Sequence, residues 1–228
     1  MKYLIKPIIA LKQIHQGILC CCLTLFFGQA LHATPIPAVP IQCIATDNNN
    51  VTIQWEIPSA PNANFVAYQI NKVGTGVLAT INDINNNTFI DVGAGNQINQ
   101  YFVAVVSNTS AGNQTTVSDT VSNIFLEINN PGTGTALLIW NHPIQPLGPG
   151  MGTDYQIYKE YPAGTWAWVA DVPFPSTTFR DTITICEGFI NYRIQLPTST
   201  CTFVSNVDGD VFEDKIVPDI PVLQKVVI

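Results

Sequence analysis

Residues 65–73, FVAYQINKV, alternate in character: Phe65, Ala67, Gln69 and Asn71 fall on one side of an extended strand, and Val66, Tyr68, Ile70 and Lys72 on the other. Short runs of this kind recur along the chain, separated by polar turns. They predict strands near 41–45, 51–57, 65–73, 77–81, 87–91, 100–107 and 115–121. A second set is predicted near 123–129, 135–141, 154–161, 166–172, 177–181, 189–196 and 201–207. Asn-rich stretches at Asp47–Asn50, Asn82–Asn87 and Asn108–Asn113 supply turns in the first set.

Two of these runs end alike. TALLIWNHP at Thr135–Pro143 carries Trp140, and VTIQWEIP at Val51–Pro58 carries Trp55, 85 residues earlier. One indole at the middle of a small two-sheet core is an economical way to fill it. Other landmarks repeat in the same order. Tyr68 in AYQI matches Tyr155 in DYQI, TFIDV at 88–92 matches TFRDT at 178–182, and Tyr101 in QYFVAV matches Tyr192 in NYRIQL. Seven short strands per copy predict an all-β chain of two tandem immunoglobulin-like β-sandwiches, with Trp55, Tyr68, Tyr101, Trp140, Tyr155 and Tyr192 as core landmarks. The first module is expected over 34–122, after a Pro-rich lead-in (TPIPAVP), and the second over 123–210 with almost no linker between. Residues 211–228 read as a linker followed by the first strand of a truncated third repeat, because VPDIPVLQKVV resembles IPAVPIQCI at 36–44.

Residues 1–33 have the organisation of a cleavable signal peptide: Lys2, Lys6 and Lys12, an apolar core GILCCCLTLFF, and small residues ending at Ala33. The protein is therefore expected to be secreted or at the cell surface, with no stable membrane span after cleavage, since the apolar run is short for a span. Cleavage leaves six basic residues against sixteen acidic ones, a net charge of −10. Such a surface repels phosphate backbones and excludes nucleic acid as a partner.

Three cysteines follow the leader: Cys43, Cys186 and Cys201. In an oxidising compartment Cys186 and Cys201 are the expected disulfide, closing a loop of about 15 residues for roughly 3 kcal/mol. Cys43 is left as a buried small hydrophobe or half of an intermolecular bond.

The Pro-rich lead-in, x-W-x-x-P, Y-x-I, T-F-x-D and the later Tyr before a final strand resemble the fibronectin type III module, over nearly all of 36–210. The second copy, with YQIYKEYPAGTW, TITIC, INYRI and SNVDGD, is similar to repeats of large exported Bacteroidetes proteins that carry gliding-motility or type IX secretion domains. The resemblance implies a modular surface or secreted protein. Relatives of the first module tend to carry a second Cys near the last hairpin. Here 106–113 reads VSNTSAGN, so Cys43 lacks a partner in its own module.

Catalytic chemistry has little to build on. Past the leader His142 is the one histidine, beside a proline at a strand end, and no zinc set, P-loop or dinucleotide fingerprint occurs. No catalytic residue is assigned and no enzyme is expected. No cofactor is expected apart from a candidate calcium site: Asp208, Asp210 and Asp214 in VDGDVFED offer hard oxygen ligands, although an Asp-Gly turn accounts for the same residues. Tyr158, Tyr161, Trp166 and Trp168 form an aromatic candidate for ligand binding. The two tryptophans in TWAWV share a face if the stretch is a strand, unless one is core and the other covers its neighbour. These features predict a non-enzymatic spacer, adhesion or interaction scaffold. Its partners are neighbouring repeats of the same chain and a surface protein or glycan. A carbohydrate-binding accessory module of an exported hydrolase and a calcium-rigidified adhesin stalk are the alternatives.

Overall fold

A computed structural model describes residues 33–59 and 63–215. The leader up to residue 32 and the third-repeat strand within 216–228 lie outside the described residues.

Sixteen strands and no helix are described. In the first module they are β1 (Ile41–Asp47), β2 (Asn50–Trp55), β3 (Phe65–Lys72), β4 (Gly76–Ile81), β5 (Thr88–Asp91), β6 (Gln100–Thr109), β7 (Gly112–Val117) and β8 (Val121–Ser122). The second module holds β9 (Leu126–Asn129), β10 (Thr135–Trp140), β11 (Asp154–Glu160), β12 (Trp166–Pro173), β13 (Thr178–Thr182), β14 (Glu187–Pro197), β15 (Thr202–Val204) and β16 (Asp208–Glu213). In the first, β1-β2-β5 faces β4-β3-β6-β7; in the second, β9-β10-β13 faces β12-β11-β14 with β15 and β16. Each is an immunoglobulin-like sandwich of the fibronectin type III kind, so the chain is two such sandwiches in tandem.

The alternation in sequence becomes the two faces of each sheet. Trp55 and Trp140 lie in the two cores, each edge-on to a buried tyrosine: Trp55 to Tyr68 at 5.3 Å and Trp140 to Tyr155 at 5.4 Å between ring centroids. A second repeated device sits beside them. Asp91 Oδ2 accepts from Tyr101 Oη (2.9 Å) and pairs with Lys72 Nζ (3.0 Å); Asp181 Oδ2 accepts from Tyr192 Oη (2.8 Å) and pairs with Lys159 Nζ (2.7 Å). Burial, reinforced by the neighbouring carboxylate, pushes the Tyr101 and Tyr192 phenols far above their ordinary value.

The modules do not merely follow one another. β1 pairs in parallel with β15 through Ala45 and Val204, which fuses the β1-β2-β5 sheet to the β12-β11-β14 sheet as one eight-stranded sheet in the order β12-β11-β14-β15-β1-β2-β5, with β16 also on β14. Register partners point the same way, so Ala45 and Val204 share one face. Their buried neighbours Ile44, Thr46, Phe203 and Ser205 lie on the other. Both cores therefore sit on the same side of the long sheet, and its opposite face is solvent-accessible in both modules.

A disulfide closes this join. Cys43 on β1 is bonded to Cys201, the residue before β15, with an S–S distance of 2.08 Å and Cα atoms 6.1 Å apart. The expected Cys186–Cys201 bond is thus corrected, and Cys186 is a free, exposed thiol. The physical reason lies between the two residues. The strand predicted near 189–196 runs over the eleven residues Glu187–Pro197 as β14, which holds its ends about 33 Å apart.

The short connection is fixed by buried amides. Asn123 is fully buried; its Oδ1 accepts from the Asn99 amide (2.7 Å) and its Nδ2 donates to the Gln97 carbonyl (3.1 Å). From the second module Asn141 Nδ2 donates to the Asn123 carbonyl (2.9 Å), and the Ser122 amide donates to the Pro143 carbonyl (2.8 Å). Every backbone group at the join that water cannot reach needs such a partner. Finally, β16 carries the second sandwich to Glu213, past the expected end at 210.

Candidate functional site

The open face of the long sheet can be read row by row from the register. One row crosses Trp168 on β12, Tyr158 on β11 and Arg193 on β14. The next crosses Trp166, Glu160, Asn191 and Gly209. A third runs through Asp171, Gln156, Gln195, Val204, Ala45, Thr52 and Ile90, one residue from each of seven strands in both modules. With strands about 4.8 Å apart, its six steps span about 29 Å.

The aromatic candidates meet in the second module's part of this face. Arg193 lies over two of them, its guanidinium carbon 4.4 Å from the Trp166 ring centre and 5.5 Å from that of Tyr158. Trp168 is 57% exposed, and its Nε1 donates to Asp171 Oδ1 at 3.0 Å, which fixes the plane of the ring. Neither tryptophan is core. A bulge at Val169 on β12, which lets Ala170 pair with Ile157 and Trp168 with Tyr158, carries Trp166 and Trp168 together on the outer face. Tyr161 is partly exposed just past β11, and Phe189 on β14 pairs with Val211 on β16 to extend the apolar area.

Glu160 is held within the same face. Its Oε2 accepts from Asn191 Nδ2 (2.7 Å) and its Oε1 from the Gly164 amide (2.6 Å). These two bonds, with the positive charge of Arg193 behind them, keep its carboxyl below the usual range.

The calcium candidates are placed differently. Asp208 Oδ2 accepts from the Ile128 amide (2.7 Å) and Oδ1 from Gly209 (2.9 Å), so Asp208 ties β16 to β9 across the sandwich. Asp210 Oδ1 accepts from the Val211 amide (2.8 Å), and the Asp214 amide donates to the Ile185 carbonyl (2.9 Å). The stretch read as a turn is therefore strand β16. Among the described residues no group of three or more His, Cys, Asp or Glu is arranged to hold a metal ion. His142 closes one end of the second core, its Nδ1 2.8 Å from Tyr155 Oη and its ring against Phe174. Burial lowers its pKa below the ordinary value.

A crevice of about 230 Å³ opens near the disulfide, between Ile41 and Glu56 of the first module and Met151, Thr198 and Phe203 of the second. The 143–152 loop forms one wall by packing on the 197–201 turn, where the Ser199 amide donates to the Gly150 carbonyl (2.8 Å). A side chain on Gly150 would collide with Ser199 Oγ.

No known family model and no curated protein matches the chain. Solved structures similar to it include the FN1–FN3 domains of chicken CNTN1 (14% identity over 79% of this chain and 68% of that one, TM-score 0.32). A central fibronectin-III array of RIM-binding protein is 15% identical over 84% of this chain and 74% of that one, with a TM-score of 0.32. A two-domain fibronectin type III segment of chicken tenascin is 15% identical over 78% and 98%, with a TM-score of 0.30. The fold assignment rests on the strand order of each module, not on these scores.

Three features were missed in sequence. Lys72 and Lys159 occupy matching places in YQINK and YQIYK, a signal available in the repeat alignment. Arg193 follows Asn191 at a spacing of two in β14, which would have placed it on the outer face. The Cys43–Cys201 pairing had no local signal.

Proposed function

We propose that this chain is a non-enzymatic interaction scaffold, exported and working outside the cell, whose two sandwiches act as a single rigid element. The observation that carries the reading is the lateral join: a sheet continued from one module into the other and locked by Cys43–Cys201. A flexible tether needs neither, and a disulfide belongs to oxidising compartments. Among the described residues no helix is long and apolar enough to cross a membrane. The resemblance of the second module to repeats of exported gliding-motility and type IX secretion proteins supports a place in a larger surface assembly. The aromatic face favours a binding role over a purely spacing one.

The test is small-angle scattering of the oxidised protein together with non-reducing peptide mapping of material recovered from the cell exterior. A single compact envelope and a Cys43–Cys201 cross-linked peptide are the expected results. An extended two-bead envelope, or a Cys186–Cys201 peptide, overturns the reading.

A further inference from the structure

We propose that the open face of the eight-stranded sheet binds a neutral linear polysaccharide, seated on the Trp168 corner and running along the third row across the module junction. The proposal rests on the scaffold reading and names its ligand.

Ring geometry is the first argument. Trp168 offers a large indole face to solvent while its polar edge is tied to Asp171, and Tyr158 lies directly across from it on the neighbouring strand. A pyranose presents a face of C–H groups that packs on such a plane, with hydroxyls left at its rim. The row that leads away from this corner suits those hydroxyls. Gln156 and Gln195 are register partners whose amides both donate and accept, and Thr52 continues the row in the first module with a hydroxyl.

Charge then separates the ligand classes. From Gln156 to Ile90 the row carries no ionised side chain: Gln195, Val204, Ala45 and Thr52 intervene. At the Trp168 corner Arg193 is stacked on Trp166 and Tyr158 with Glu160 close enough to feel its charge, and Asp171 stands next to Trp168. An anionic glycan meets these carboxylates and the acidic surface of the whole chain. A protein partner would want a broad apolar centre to desolvate, but on this row the apolar part is the two small side chains Val204 and Ala45, flanked by the amides of Gln156 and Gln195 and the hydroxyl of Thr52. A neutral, hydroxyl-rich chain meets neither objection.

The experiment uses isothermal titration of the oxidised protein with glucan, mannan, xylan and chitin-derived oligosaccharides, each as disaccharide and hexasaccharide, and with a polyuronate. The expected result is binding of at least one neutral series, with affinity rising about tenfold or more from disaccharide to hexasaccharide. Trp168→Ala abolishes both. Thr52→Arg removes the gain of the hexasaccharide and leaves the disaccharide unchanged. Gln156→Ala weakens both by several-fold, a second variant on the same face should Trp168→Ala lower the melting temperature. No binding in any neutral series, or tighter binding of the polyuronate, overturns the proposal. A hexasaccharide gain that survives Thr52→Arg overturns the crossing of the junction. Each of these results leaves the scaffold reading standing, since that reading fails on the scattering envelope instead.

Discussion

Replacing Cys43 and Cys201 together by alanine removes a cross-link between residues 158 apart in sequence. On the chain-entropy model a loop of that length restrains the unfolded chain by about 5 kcal/mol at 25 °C, against roughly 3 kcal/mol for the 15-residue loop expected from sequence. In a domain pair of this size each kcal/mol moves the melting temperature by about 2–4 °C, so the double variant should melt roughly 10–20 °C below the oxidised parent. The native state should loosen as well. Without the bond the parallel join rests on the one Ala45–Val204 register pair and on the amide network around Asn123. Calorimetry of the parent, the double variant and Cys186→Ser makes the assay. The parent should unfold in one transition, the double variant earlier and in two, and Cys186→Ser like the parent. The reasoning is refuted if the double variant melts within about 3 °C of the parent, or if Cys186→Ser produces the large drop.

The paired triads predict that Asp91→Ala and Asp181→Ala each cost about 3 kcal/mol in urea unfolding, because each strands a lysine and a buried phenol that shared one carboxylate. Tyr101 and Tyr192 have folded pKa values above the unfolded value of about 10. Their contribution to stability is complete below pH 10 and is lost as pH rises beyond it, since only the unfolded chain then releases the protons. Phenolate absorbance from these two residues should appear together with unfolding in an alkaline titration, not before it. At Gly209 a Cβ would lie 2.3 Å from the Ile190 carbonyl oxygen, so Gly209→Ala should destabilise by about 1–3 kcal/mol and separate β16 from β14, read as faster exchange of the amides that join the two strands.

What sequence made legible follows the range of the forces. The period of two placed the strands of both modules, because each side chain faces either core or water over a few residues. The repeated Trp and Tyr landmarks placed the two cores for the same reason. The lateral join was invisible, since Cys43 and Cys201 meet only once both sandwiches exist, and spacing along the chain favoured Cys186. The aromatic face was half legible: TWAWV announced two rings on one side, but which side depended on a bulge in β12. Asp208 misled because an Asp-Gly pair reads as a turn, whereas its carboxylate satisfies a backbone amide of β9, a partner 80 residues away.

The bond between Cys43 and Cys201 also decides where tension goes. A pull applied on either side of the pair enters at residue 43, crosses two sulfur atoms and leaves at residue 201, so nothing between them carries the load. Both tryptophan cores lie inside that bypass. Only the lead-in with Ile41 and Gln42 of β1, and the strands β15 and β16, can be peeled, after which the described chain is taut. An ordinary tandem array lengthens by unravelling one module after another. This pair would behave under force as a link of nearly fixed length until the disulfide is reduced.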